Sequence, residues 1–232
     1  MKGRLLRLPF VLYQIMKKVN YSILVSLLAI LLFSTGAKIE KSKNTYITLA
    51  GDKYKVDLKN SKISWNIKTS RGANSGELRI KSGNVVEEKN RVKSAEILMD
   101  MTAIIIRSIP PGIVNMKAVT ILNTESFFDV AKFPTALIEI TKTTPKQSNT
   151  FEVNGFLTIK GRRQPIRFTM EGGFAGGHFE GTTKNIVVNR TLYDIRYTTS
   201  GDAAEKELET RVEDAIDDSF NIDVYLVADK EE

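Results

Sequence analysis

The sequence contains 0 Cys. Disulfides, thiol catalysis and cysteine-held zinc sites are therefore excluded. It contains 1 His, which rules out histidine-rich metal centres and leaves any histidine-dependent triad resting on His178 alone. G-x-S-x-G, H-E-x-x-H and P-loop patterns are missing, as is a G-x-G-x-x-G following a strand. Asp217 and Asp218 are sequence neighbours rather than a facing acid–base pair. No catalytic residue, metal ligand or cofactor is expected from this inventory.

Long apolar runs are also missing. The longest, Ile23 to Phe33, has 11 residues with Ser26 its one polar member. A membrane span needs about 20 residues, so this run matches the apolar region of a signal peptide. Lys17 and Lys18 supply its positive flank, and Thr35-Gly36-Ala37 the small residues before a cleavage site. The expectation is a signal peptide over 1–37, with Met16 as an alternative start, a leader over 38–53 and a tail over 229–232. The mature chain is then exported, with no stable span.

Export changes the charge argument. The full chain has 34 Lys+Arg against 27 Asp+Glu, a net +7. Five of the basic residues and none of the acidic ones lie in 1–37, so the mature chain has 29 against 27, or +2. Without a basic patch interleaved with aromatics, nucleic acid is not an expected partner.

What the chain has in quantity is period-two alternation, the mark of half-buried strands. Ile63, Trp65 and Ile67 alternate with Ser64, Asn66 and Lys68. A Gly-punctuated arm follows over 75–83. Ser94 to Ile106 reads as a long strand with Ile97, Met99 and Met101 on one face, ending in the doubly apolar Ile104-Ile105-Ile106. Ala136, Ile138 and Ile140 form another inward set. Residues 151–170 read as two strands, carrying Leu157, Ile159, Phe168 and Met170 and joined at 161–164. Residues 178–188 and 220–227 complete the set, the last with Ile222, Val224 and Leu226 in phase. Two segments break the pattern: 115–129 reads as a short helix or turn, and 203–216 as an acidic amphipathic helix. Many strands with short turns point to an antiparallel sandwich or barrel, and the length of these strands favours a barrel. An eight-stranded barrel either fills with side chains or holds one small ligand. Periodicity leaves that choice open.

Five segments resemble the YceI-like family of exported lipid-binding proteins. They are SGELRIKSG (75–83), SAEILMDMTAI (94–104), SFFDVAKFPTA (126–136), FEVNGFLTIKGRRQPIRF (151–168), and NRTLYDIRY (189–197) together with Asp214 to Asp218 and the last strand. The most specific is the third, through Phe127, Phe128, Asp129, Val130, Lys132 and Pro134. Together they span about 54–228. Three places depart from the family pattern: Ile121-Leu122 stands where a His-Leu pair is common, the 160–165 turn is more basic than usual, and the 108–115 loop is unusual.

The resemblance implies an all-β, lipocalin-like antiparallel eight-stranded β-barrel with short helical insertions and a deep apolar cavity. It implies a non-enzymatic carrier that sequesters or transports an isoprenoid or other long-chain lipid. The candidate cavity residues are Ile63, Trp65, Ile67, Ile97, Met99, Met101, Ile138, Ile140, Leu157, Ile159, Phe168, Ile222, Val224 and Leu226. Phe127, Phe128 and Phe133 are candidate gates. Arg162 and Arg163, in a turn, and Arg190 are the candidates for a headgroup contact. The alternative is a cell-envelope scaffold whose loops 108–125 and 201–219 bind a protein. If the chain oligomerises, an isologous homodimer is the expected form.

Overall fold

The computed structural model describes residues 51–70, 72–196, 206–207 and 215–232. The signal peptide and most of the expected leader lie outside the described residues. Alternation turns into nine strands: β1 (Asp52–Val56), β2 (Lys62–Thr69), β3 (Gly72–Glu87), β4 (Val92–Ile106), β5 (Thr135–Pro145), β6 (Thr150–Ile159), β7 (Arg162–Ala175), β8 (His178–Asn189) and β9 (Ile216–Lys230). Helix α1 (Ile113–Asn123) lies between β4 and β5, and a 3-10 turn (Arg190–Tyr193) follows β8.

Every pairing is antiparallel, and the sheet closes on itself through β2–β9 and β3–β4. Nine strands make eight staves. β2 pairs with 72–78 of β3 and 216–225 of β9, while β1 pairs with 84–87 and 228–230 of the same two neighbours. β1 and β2 are thus two pieces of one stave. The turn between them is folded around the Asp57 carboxylate, which accepts the Lys59 and Asn60 backbone N–H groups at 2.8 and 3.1 Å. These bonds and the Asn60 side chain hold the Asp57 carboxyl below the usual carboxylate range.

Turn chemistry fixes the hairpins. The β6–β7 turn places Lys160 and Gly161 at φ 52° and 70°. Two consecutive left-handed residues make the hairpin geometry that matches strand twist, and Gly suits the second position because it has no Cβ. The expected joint at 161–164 is therefore tighter, and Arg162 to Gln164 already belong to β7. Gly176 and Gly177 close β7 onto β8 in the same way.

The β4 strand carries the irregularity that matters most. Its inward residues run Ile97, Met99, Met101 and then Ile104, Ile106, so the phase slips by one. Opposite it, the β3 partners step from Arg79–Asp100 to Glu77–Ile105, leaving 101–104 as a bulge. Asp100 holds the bulge: its Oδ1 accepts from the Thr102 backbone N–H at 2.9 Å and from the Thr102 hydroxyl at 2.6 Å. These bonds keep the Asp100 carboxyl below its ordinary value. The doubly apolar end of the strand is explained, because the bulge re-aims Ile104 and Ile106 inward.

The helical expectations shift. The first helix is Ile113–Asn123 rather than a segment running to Asp129. The expected helix over 203–216 lies mostly outside the described residues; Lys206 and Glu207 are helical, and Ile216 opens β9 instead of ending a helix. The leader and tail boundaries also move, since Asp52 and Lys53 belong to β1 and Asp229 and Lys230 to β9.

Candidate functional site

One end of the barrel is plugged. Tyr54, Phe174 and Phe179 stack across it, with ring centroids 4.8 Å apart in both pairs. Val85, Val153 and Ala228, all fully buried, fill the space around them.

The other end is hollow. A cavity of about 380 Å³ opens between the β4–β5 and β8–β9 connections. β2 supplies Trp65 and Ile67, β3 Leu78, β4 Met99, Met101, Ile104 and Ile106, and β9 Ile216, Phe220 and Ile222. Ile109, then Ala118, Ile121 and Leu122 of α1, and Phe127 and Phe128 close one side of the mouth. Thr69, Asn74 and Arg190 are its polar members. The Trp65 indole packs against Gly76, where an added Cβ would meet the Ile105 carbonyl oxygen at 1.8 Å and the ring at 2.5 Å. Only a glycine leaves room here for the bulkiest side chain of the site.

The cavity has a sharp floor. On β4, β5 and β9 one inward step leads from it to a void of only about 20 Å³. The step runs from Met99 to Ile97 on β4, from Ala136 to Ile138 on β5 and from Ile222 to Val224 on β9.

The candidate residues divide accordingly. Trp65, Ile67, Met99, Met101, Phe127, Phe128, Ile159 and Ile222 line the cavity. Ile97, Ile138, Ile140, Phe168, Val224 and Leu226 line the small void beneath it. Ile63 and Leu157 are fully buried in the packed interior and line neither space. Phe133 sits outside the cavity, against the β6–β7 turn, 2.8 Å from where a Gly161 Cβ would stand.

The three arginines divide too. Arg162 pairs with Asp194 at 3.2 Å. Arg163 donates to Glu139 at 2.7 Å and lies over the Phe156 ring. Neither lines the cavity: Arg163 lies on the outer face with Glu139, and Arg162, on the opposite face, stands at the exposed end of the strand beside Asp194. Arg190 does line it, and its side chain is 3% exposed. It donates to the carbonyls of Asp217 (2.9 Å), Ile195 (2.9 Å) and Ile216 (3.1 Å), and to Asp218 Oδ1 at 3.3 Å. The guanidinium thus ties the 190–195 turn to the start of β9. A buried cation held this way stabilises the rim only while its partners stay in place. Beside it, burial pushes the Tyr193 phenol up to about 12, so that ring is neutral at any physiological pH.

Sequence reasoning missed most of the mouth. Ile104 and Ile106 were hidden by the bulge. Ala118, Ile121 and Leu122 are spaced i, i+3, i+4, but the exposed apolar Ile113, Val114 and Met116 on the same helix leave no single apolar face to read. Among the described residues no cluster of His, Asp or Glu could hold a metal ion, and no helix is long and apolar enough to cross a membrane.

No curated protein matches the chain. Two solved structures share the fold. BcnA of Burkholderia cenocepacia superposes with a TM-score of 0.59 at 20% identity, covering 74% of this chain and 98% of its own. A polyisoprenoid binding domain from Saccharophagus degradans, implicated in plant cell wall breakdown, gives 0.56 at 12% identity over 77% and 98%. The YceI-like domain pattern itself matches residues 54–228, from β1 to the end of β9, and the chain therefore belongs to the YceI-like family.

Proposed function

We propose that this protein is an exported, periplasmic, non-enzymatic carrier that takes the tail of an isoprenoid or similar long-chain amphiphile into the cavity at the barrel mouth. The observation that carries the reading is the asymmetry of the interior: an apolar space open at one end and stopped by a packed floor. A hydrocarbon tail needs a dry wall and no reactive group. Ten buried methylenes contribute about 8 kcal/mol before association costs, which corresponds to roughly micromolar binding. The cavity, about 380 Å³, stands at the low end of small-ligand pockets. It seats one end of a chain, and the remainder projects through the mouth. Arg190, at the rim, is the cation nearest to where an anionic headgroup would rest. The polyisoprenoid binding named for the Saccharophagus domain supports the same ligand class.

The test is native mass spectrometry and solvent extraction of protein purified from its own host, where a co-purifying lipid is expected. Trp65 is the 1 Trp of the chain and lies in the cavity wall, so its fluorescence reports occupancy directly. A brominated long-chain alcohol should quench it. A barrel that carries no lipid and whose Trp65 ignores the alcohol is not a carrier.

A further inference from the structure

Of the large apolar side chains exposed among the described residues, four lie on one element. Ile113, Val114 and Met116 of α1 are 72%, 69% and 69% exposed, and Ile121 is 43% exposed. The others are scattered singly over the surface, which is ordinary. The helix buries none of its side chains fully. Its second half supplies Ala118, Ile121 and Leu122 to the cavity rim. Ile121 belongs to both sets, lining the cavity and standing exposed on α1.

Within the segment that carries this surface the charge is of one sign, with Glu125 and Asp129 following it. Residues 101–124 include Arg107 and Lys117 and no Asp or Glu, in a chain with 27 acidic residues among 232. Arg107 is held by Glu77 at 3.0 Å. Lys117 is exposed in the middle of the patch. Elsewhere Lys132 lies over the Phe133 ring and Lys160 donates to the Asp194 carbonyl. Acidic residues of the β8–β9 connection cluster between 202 and 214, largely outside the described residues. The plugged end is different in kind: Asp52, Glu88, Lys89, Lys93, Asp229 and Lys230 make it charged and wet.

We propose that α1 is a docking element that seats the barrel mouth on an anionic lipid surface, with Ile113, Val114 and Met116 entering the acyl boundary and Lys117 at the headgroup level. The proposal rests on the carrier reading, since the cargo of such a carrier is dissolved in a membrane. A long chain that crosses open water loses its favourable burial methylene by methylene. A mouth lip pressed into the bilayer removes that crossing. Short apolar faces flanked by Lys are what interfacial helices use, and each cation near an anionic surface adds a modest attraction.

The chain has 0 Cys, so one engineered Cys gives one labelled position. Full-length V114C carrying a polarity-sensitive dye should shift to the blue on vesicles of phosphatidylglycerol and phosphatidylcholine. The same dye on K89C, at the plugged end, should not shift. Adding K117Q to V114C should weaken the response to anionic vesicles about fivefold, the worth of one surface cation. A silent label at 114, equal shifts at both sites, or equal affinity for pure phosphatidylcholine would overturn the proposal. So would crosslinking from the 114 side chain to an envelope protein instead of lipid. Quenching of Trp65 by the brominated alcohol in vesicle-free solution is scored separately. If quenching persists while the label is silent, the carrier stands and the docking falls. If the label shifts without quenching, the docking stands and the carrier falls.

Discussion

Met99 and Ile97 are neighbours on the inner face of β4, both almost completely buried, yet one borders a cavity of about 380 Å³ and the other a void of about 20 Å³. The same contrast recurs on β5 and β9. Residue type does not create it, because Ile, Leu, Met and Phe line both spaces. What differs is how the largest side chains pack. In the plugged half Tyr54, Phe174 and Phe179 meet one another. In the hollow half the largest, Trp65, packs against Gly76, and the β4 bulge shifts the phase of the wall. The hollow half keeps its bulky residues and still leaves a cavity.

Substitutions can break that contrast. The largest effect is expected from Phe179→Ala in the plug, where an aromatic 1% exposed leaves an empty space and about 3–5 kcal/mol of stability is lost, measurable by urea unfolding. Ile138→Ala, in the floor, should cost about 2–4 kcal/mol and join the small void to the cavity. Its distinguishing outcome is on ligand choice: the preferred chain in a homologous series of alcohols should lengthen. Phe220→Ala removes a half-buried aromatic that already faces open space, so only about 1–2 kcal/mol should go, while tail binding weakens.

The smallest effect is expected from acid at the mouth. Glu77 is held below the usual carboxylate range by hydrogen bonds from Arg107 and Lys62, and Asp100 by those from Thr102. Both folded values lie under the ordinary ones of 4.5 and 3.8. Their stabilisation is therefore complete above those values and disappears as pH falls through the lower folded ones. Asp100→Asn should lower the melting temperature at pH 7, and the gap from the wild type should narrow as the pH falls below the ordinary carboxylate value of 3.8.

Much of the barrel was legible in the sequence, because period-two alternation reports which residues face inward and little else is needed to place strands. The fourteen strand positions put forward for the cavity, from Ile63 to Leu226, are buried in the core, packed against it, or line one of the two spaces. The limit of that signal is depth. Alternation gives the face of a strand but not the height along the axis, so Leu157, in the solid part, and Ile159, beside open space, look alike in sequence. The bulge was hidden for a related reason: a slip of phase inside Ile104-Ile105-Ile106 changes no residue type. Arg162 and Arg163 were legible as turn cations, but their direction depends on where β7 begins. That point is set by the left-handed pair Lys160 and Gly161 rather than by the arginines.

The two-piece stave has a consequence for how the polypeptide could be rewired. β1 leaves off beside the turn at 57–61, and its other end lies next to the end of β9, where Tyr54 faces Lys230 and Asp52 is ion-paired with Lys230. A circular permutant opened in that turn and spliced from β9 into β1 by a short loop would turn a split stave into an ordinary hairpin. Every ladder would be preserved, and the new termini would emerge from the flank of the barrel, clear of its mouth.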